Sequence, residues 1–458
     1  MERAIDTTDV TTDVTQRLAD YASGLTLKDV PEDVRSIAKQ CMLDWLGVTL
    51  AGAQEPLTRK LLDYARAEGC GDHATLIGLN GRGSVSQAAL INGSAGHALD
   101  YDDVLRQLRG HPTAPVAPVA LALAERDLKS GEDLLLAFIA GVEVEARIGA
   151  LIGDAHYAKG WHQTATVGTF GAAAAGARIM ELDGADTAVA LGIAGTQAAG
   201  LKAMFGTMCK PLHAGKAAAN GLLAAELAKR QFTSRSDVLE CDQGFAATQA
   251  DGIDPAAALD GLGIDFCIPK LLFKYHAACY GTHAGIESAR AIFGNPAFDL
   301  DKVERVEVNV PERTMNMCNI PEPETGLEVK FSHRFTTALA LAGEETGSLE
   351  VYDESFATRP DLVALRDKIS IHGRDDYTPN QTDVTVHQSD GTAIMESRDM
   401  AVPNTDLGDQ WQKLATKFRA LADPLIGEEN AARAVAIVRE LEQQDDASGI
   451  AASCRTCR

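Results

Sequence analysis

The 458-residue sequence predicts a mainly α protein, a large all-helical domain interrupted by a smaller α+β insertion. Three observations predict it. Apolar residues recur at three- and four-residue steps through almost every segment from 12 to 265. After Gly261 that pattern yields to two-residue alternation, and beyond Pro403 helical spacing returns. The boundaries that follow are 12–265 for the first helical part, 266–401 for the insertion, 402–445 for the helical return and 446–458 for a disordered tail. A chain of this length is also too long for one hydrophobic core.

The elements follow in order. Asp29–Ala53 carries Val34, Ile37, Ala38, Cys41, Met42 and Trp45 on one face, with Pro31 near its start, where a missing N–H costs nothing. Leu57–Ala67 and Val85–Leu99 continue the pattern, and Gly131–Ile152 is apolar nearly all round, as a central helix must be. Gly168–Met180, Ala185–Gly200 and His213–Arg230 are rich in Ala and Gly. Aromatic residues make up only 5% of the chain, so its core has to be filled by helices approaching closely on small side chains. In the insertion Val303, Val306, Val308 and Val310 open a strand, and Lys368–His372, Thr382–Gln388 and Thr392–Ser397 are further strands. The last two are joined by Ser389-Asp390-Gly391, a hairpin signal. Gly281–Phe293 and Thr336–Ala342 are helical within it, and Asp409–Ala422 and Glu428–Glu442 form the return. The closing Cys454-Arg455-Thr456-Cys457 has redox or metal spacing, but it follows the polar Gln443-Gln444-Asp445-Asp446 and has no second pair to complete a zinc site.

Charge narrows the function classes. Acidic residues outnumber basic ones 65 to 42, for a net charge of −23, which disfavours nucleic acid and anionic membranes as partners. No apolar run reaches the roughly 18 residues of a membrane span. Met1-Glu2-Arg3-Ala4-Ile5-Asp6 lacks the basic and apolar regions of a signal peptide, and the nine scattered cysteines read as reduced thiols. A cytoplasmic enzyme is expected.

Four stretches concentrate groups an ordinary core avoids. His97, Asp100, Tyr101, Asp102 and Asp103 precede Arg106, Arg109 and Gly110-His111-Pro112, a density of charge that pushes pKa values apart and supplies both acid and base. A solvated loop would share these residues, but His111 between Gly110 and Pro112 argues for fixed geometry. Gly160-Trp161-His162-Gln163-Thr164 opens an Ala/Gly helix, where His162 either faces a ligand or merely caps a loop. Lys210-Pro211-Leu212-His213-Ala214-Gly215-Lys216 starts the next long helix, and lysines at a helix N-terminus make a carboxylate site. Finally, Lys274-Tyr275-His276 and Cys279-Tyr280-Gly281-Thr282-His283 lie at the seam of the two parts. His276, Cys279 and His283 have metal-like spacing without an evident fourth ligand, and Cys279 is better read as a proton donor or acceptor. No phosphate loop occurs, and Gly81-Arg82-Gly83 lacks the third glycine of a dinucleotide fingerprint, so neither cofactor nor metal is expected. An Mg²⁺ site on Asp100, Asp102 and Asp103 is disfavoured by the basic residues beside it.

These motifs make the chain resemble the MmgE/PrpD family, which includes methylcitrate dehydratases, cis-aconitate decarboxylases and iminodisuccinate epimerases. The carriers are Asn92-Gly93, His97, Asp100 to Asp103, Gly110-His111-Pro112, Gly160-Trp161-His162, Lys210 to Gly215 and Cys279 to His283, in order. The likeness runs from Leu43-Asp44-Trp45-Leu46-Gly47 to Lys417-Phe418. It implies that the insertion is a lid domain, that the chain forms a homodimer, and that cofactor-free chemistry on small di- or tricarboxylates takes place between the domains. It also implies that Asp100, His111, His162 and Lys210 line that pocket. Cys279 stands where animal-type aconitate decarboxylases carry a His, Val104 where they carry a Thr, and Phe335 where they carry a Tyr. Those departures leave dehydration and epimerisation open beside decarboxylation.

All three reactions need a carbanion-like centre beside a carboxylate, hence cations and two proton-transfer groups. Lys210 and His213, with Arg109, Lys274 and Tyr280, are assigned to substrate binding, and His111 and His162 to proton transfer. Asp100 orients an imidazole and Cys279 acts from the lid. The leading expectation is a dehydratase of a 2-hydroxy polycarboxylate such as methylcitrate, with an epimerase of a dicarboxylate amine or a cis-aconitate decarboxylase as the alternatives.

Overall fold

A computed structural model of the chain describes residues 13–456. The residues divide into two compact units, one running to Leu271 and resuming at Asp406, the other Leu272–Thr405. The first unit is built of helices: α1 (Val14–Gly24), α2 (Glu32–Gly52), α3 (Pro56–Glu68), α4 (Val85–His97), α5 (Thr113–Asp127), α6 (Gly131–Ala158), α7 (Gln163–Ile179), α8 (Gly184–Gly195) and α9 (Cys209–Lys229). The mainly α expectation therefore holds.

Small residues do the packing that the sequence assigned to them. Ala172, Ala173, Ala174 and Ala175 of α7 are all fully buried, and α7 lies against both α6 and α9. Where α4 crosses α9, a Cβ on Gly215 would sit 2.1 Å from the Leu90 carbonyl oxygen, so no larger residue fits there. In α6, Leu134, Leu135, Phe138 and Ile139 are buried, as its all-round apolarity requires, and Gly153 breaks the helix with φ +57°. The return helix Leu407–Ile426 packs on α2. There the buried Lys417 ammonium lies 2.6 Å from Asp44 and donates to the Tyr101 carbonyl at 2.8 Å.

Of the tail expected to be disordered over 446–458, the described part, 446–456, is ordered instead. Ser448–Ser453 is helical, with Ile450, Ala451 and Cys454 buried, and the Cys454 carbonyl accepts the Gly78 N–H at 3.0 Å. The polar run before it masks these buried apolar side chains. Cys457 lies outside the described residues.

The second unit holds a four-stranded sheet of β1 (Val303–Pro311), β2 (Ile369–Arg374), β3 (Gln381–Gln388) and β4 (Ala393–Asp399), in the order β2-β1-β3-β4. β1 pairs in parallel with β2, Val306 opposite Ile369, and antiparallel with β3, Val308 opposite Val384. The alternating valines Val306, Val308 and Val310 are fully buried, which fixes the register of β1. The β3–β4 hairpin turns through Gly391 at φ +87°. Helix α10 (His283–Phe293) packs on β3 and β4, and α11 (His333–Leu341) packs on α10.

Candidate active site

Three helix starts or ends in the first unit converge on one polar cluster. His97 is the last residue of α4, His162 immediately precedes α7, and Lys210 sits in the first turn of α9. Between α4 and α5 the loop turns sharply, with Asp100 and Arg109 both left-handed at φ +52° and +50°. Several anchors hold it. Lys417 grips the Tyr101 carbonyl and lies 3.7 Å over the Tyr101 ring, while the Thr113 hydroxyl donates to the buried Asp103. Gly110 passes so close to α7 that a Cβ would meet Thr164 Oγ1 at 2.8 Å, and that same hydroxyl accepts the His111 N–H at 3.1 Å. This fixed His111 is what its Gly-Pro bracket predicted.

Asp102 is the hub. Its two oxygens lie 3.0 Å from His97 Nδ1, and Oδ2 lies 3.2 Å from His111 Nδ1, off the line of a straight hydrogen bond. The His97 and His111 rings are 4.4 Å apart. Burial alone would raise the Asp102 carboxyl, but the two imidazoles hold it well below the usual carboxylate range. Burial likewise drives His97 down to about 4 against the pull of Asp102, so at neutral pH His97 donates from Nδ1 to an ionised Asp102. Asp103, one residue on, is raised to about 7, chiefly by burial.

On the far side of the cluster, His162 Nδ1 lies 3.0 Å from His213 Nδ1. Burial depresses both imidazoles, His162 strongly, and the charge of Lys210 adds to the effect. Two neutral rings facing each other through Nδ1 share one proton. The ring that donates it has a bare Nε2, and the ring that accepts it carries Nε2–H. The pair therefore presents one base and one acid at all times. Phe205 stands edge-on to His162 at 4.9 Å and holds the ring in place. Lys210 Nζ is 2.8 Å from Asp100 Oδ1, which in turn is 3.5 Å from His111 Nε2.

Donor atoms from His97, Asp100, Asp102 and His111 all lie within 4.8 Å of one another, close enough to surround a metal ion. The set fits a metal poorly, because the Lys210 ammonium already neutralises Asp100 and both imidazole Nδ1 atoms are turned to Asp102. A cation there would have to displace the lysine.

Among the residues assigned from sequence, the structure brings together Asp100, His111, His162, Lys210 and His213. Arg109 pairs instead with Asp154, both exposed. Lys274, Cys279 and Tyr280 belong to the second unit, where Lys274 is buried, Cys279 is half-buried and the Tyr280 hydroxyl donates to the Met400 carbonyl at 2.6 Å. Burial raises the Tyr280 phenol further, which leaves it a donor rather than a base. His276 is held by Glu287 at 2.7 Å and Thr346 at 2.9 Å, and His283 by the Ala278 carbonyl at 3.2 Å, so these imidazoles are committed away from a shared metal. His97, Asp102 and Thr164 were not assigned roles from sequence. The five-residue step from His97 to Asp102, across the end of α4, was the available signal.

Known proteins resemble the chain along most of its length. The MmgE/PrpD N-terminal domain model matches residues 16–257 and the MmgE/PrpD C-terminal domain model residues 276–443. The chain is similar to the cis-aconitate decarboxylase of Mus musculus, 28% identical over 454 residues, 95% of this chain and 92% of that protein. It is similar to that of Homo sapiens at 28% over 454 residues (95% and 93%), and to that of Aspergillus terreus at 27% over 471 residues (95% and 94%).

Proposed function

The chain belongs to the MmgE/PrpD family, and from that premise we propose that it is a lyase acting on a small di- or tricarboxylate through a carbanion-like centre beside a carboxylate. The observation that carries the reading is Lys210 at the start of α9, its ammonium on Asp100, with the imidazoles of His111, His162 and His213 in the same cluster. A substrate carboxylate gains a cation and the N-terminal end of a helix dipole, and it shares the lysine with Asp100 or displaces it. When the adjacent carbon takes on negative charge, that charge spreads into the bound carboxylate, where Lys210 stabilises it. The His162–His213 pair moves the proton, and His111, turned by Asp102, is the second proton-transfer group. His97 and Asp102 are positioning residues for His111.

Decarboxylation is the leading reaction, because the similar relatives are cis-aconitate decarboxylases. CO₂ leaves, its bonding pair stays on carbon, and an imidazole N–H protonates that carbon. Dehydration is the second reading, and the presence of two separate imidazole pairs favours it. Elimination of water needs a base for C–H and an acid for the departing hydroxyl, where decarboxylation needs only an acid. Epimerisation of a dicarboxylate amine makes the same double demand.

The test is incubation with cis-aconitate, 2-methylcitrate and iminodisuccinate in D₂O, followed by NMR. Loss of CO₂ identifies a decarboxylase, loss of water a dehydratase, and deuterium uptake with the skeleton intact an epimerase. Absence of turnover on every polycarboxylate would overturn the proposal.

A further inference from the structure

In the second unit, three sulfur atoms from two chain segments meet. Cys279 precedes the short turn Tyr280–Thr282, and its S–H donates to Met317 Sδ at 3.9 Å. The Cys318 thiol, next in the chain to Met317, is fully buried. A Cβ on Gly281 would lie 3.1 Å from Cys318 Sγ, so the glycine is what lets the two segments approach this closely. Both cysteines are pinned through the backbone. The Cys279 N–H donates to the Lys330 carbonyl at 3.0 Å, the Cys318 N–H donates to the Thr314 carbonyl at 2.9 Å, and the Cys318 carbonyl accepts the His333 N–H at 2.8 Å. The neighbouring Cys279 and burial push the Cys318 thiol up, so it remains protonated. Cys279 is half-buried and Met317 exposed, which leaves the outer two sulfurs open to a small reagent. Within 272–405 the sequence has no cysteine besides Cys279 and Cys318, so no third thiol of this unit competes.

We propose that Cys279 and Cys318 form a reversible oxidation site, a thiol pair that a hydroperoxide converts into a disulfide. The Cys279 thiolate attacks the terminal peroxide oxygen. An S–O bond forms, the O–O bond breaks, and the leaving alkoxide or hydroxide takes a proton, which leaves Cys279 as a sulfenic acid. Cys318 then attacks the Cys279 sulfur. The S–S bond forms, the S–O bond breaks, and the departing hydroxide leaves as water with the Cys318 proton. Two thiols lose two electrons and the peroxide gains them. The buried Cys318 is the resolving thiol, held by its backbone against the segment that carries Cys279. On the reading that Cys279 serves the lyase reaction, the disulfide also switches that reaction off.

The experiment treats the full-length protein with hydrogen peroxide, blocks the remaining thiols with iodoacetamide, and maps peptides by mass spectrometry. A Cys279–Cys318 cross-linked peptide, two hydrogens lighter than its reduced parts and dissolved by dithiothreitol, is expected. In Cys318→Ala the cross-link cannot form, and Cys279 should run on to the sulfinic acid, which dithiothreitol does not reverse. Oxidation of Cys279 in the unaltered protein with Cys318 still alkylatable, or capture of the oxygen by Met317 as sulfoxide instead, would overturn the proposal. Turnover of the polycarboxylate substrate is measured alongside. Cross-linking with full activity retained would leave the oxidation site standing and remove Cys279 from the lyase mechanism.

Discussion

Replacing Asp102 with Asn tests whether the hub carboxylate sets the chemistry of the imidazoles around it. The carboxylate bonds His97 Nδ1 at 3.0 Å and faces His111 Nδ1 at 3.2 Å, so it is turned toward both rings. An amide of the same shape offers one oxygen and one NH₂, so one ring keeps its acceptor and the other meets a donor. That second ring must move its proton to Nε2, and the nitrogen it presents to a substrate changes from acceptor to donor. Losing one charge-assisted hydrogen bond costs about 1.5–3 kcal/mol. A misplaced tautomer on a proton-transfer group costs on the order of 10²–10⁴ in kcat. The expected result is therefore a fall of at least about a hundredfold in kcat with KM little changed, since Asp102 touches imidazoles and not substrate. Steady-state kinetics and ¹⁵N-detected imidazole tautomers, measured on the same preparation, check both halves. A changed tautomer with kcat within about threefold of the parent would refute the role given to His111.

Lys210→Ala should raise KM, by a factor equivalent to about 1.5–3 kcal/mol, and leave kcat nearly unchanged if the contact is equal in ground and transition states. His162→Gln should instead depress kcat about a hundredfold or more. Equal collapse of the melting temperature in both would mean they are structural residues. Prolonged EDTA treatment should leave turnover intact, because Lys210 occupies the place a metal would need on Asp100. A loss of activity restored by one divalent cation would contradict this. Glu145 is fully buried, both its oxygens lack a partner among the described residues, and burial raises its carboxyl well above the ordinary value. The folded chain thus holds a proton there that the unfolded chain releases as pH rises through about 4.3. Glu145→Gln should gain stability over the parent as pH climbs above that point and show no gain below it, read from melting curves at acid and neutral pH. Light scattering should return twice the 48.5 kDa chain mass, as a homodimer requires.

The helices were legible because their periodicity is local, and their packing was legible because Ala and Gly leave no other way to fill a core. Gly215 against the Leu90 carbonyl is that inference realised at one crossing. The C-terminal helix was not legible. Its burial depends on Ile450, Ala451 and Cys454 meeting a surface remote in sequence, and local polarity outweighed three small side chains. Arg109 illustrates the same limit, since its charge was visible and its partner Asp154 was not.

The site divides along a similar line. His162 and Lys210 could be placed because a helix start is a local feature, and a His or Lys there has a direction and a field before any tertiary contact forms. The hub was harder. Asp102 reads in sequence as one acid among Asp100, Asp102 and Asp103, and nothing local distinguishes them. The fold separates the three by what each one meets. Asp100 takes the Lys210 ammonium, Asp102 takes two imidazoles, and Asp103 takes the Thr113 hydroxyl in a buried setting that raises it to about 7. Three identical side chains thus become a paired carboxylate, a tautomer-setting carboxylate and a carboxyl near neutrality. Lys417, far along the chain, makes this possible by fixing the Tyr101 carbonyl between the first two. The cluster proposed as the site therefore depends on the return helix as well as on the motifs that compose it.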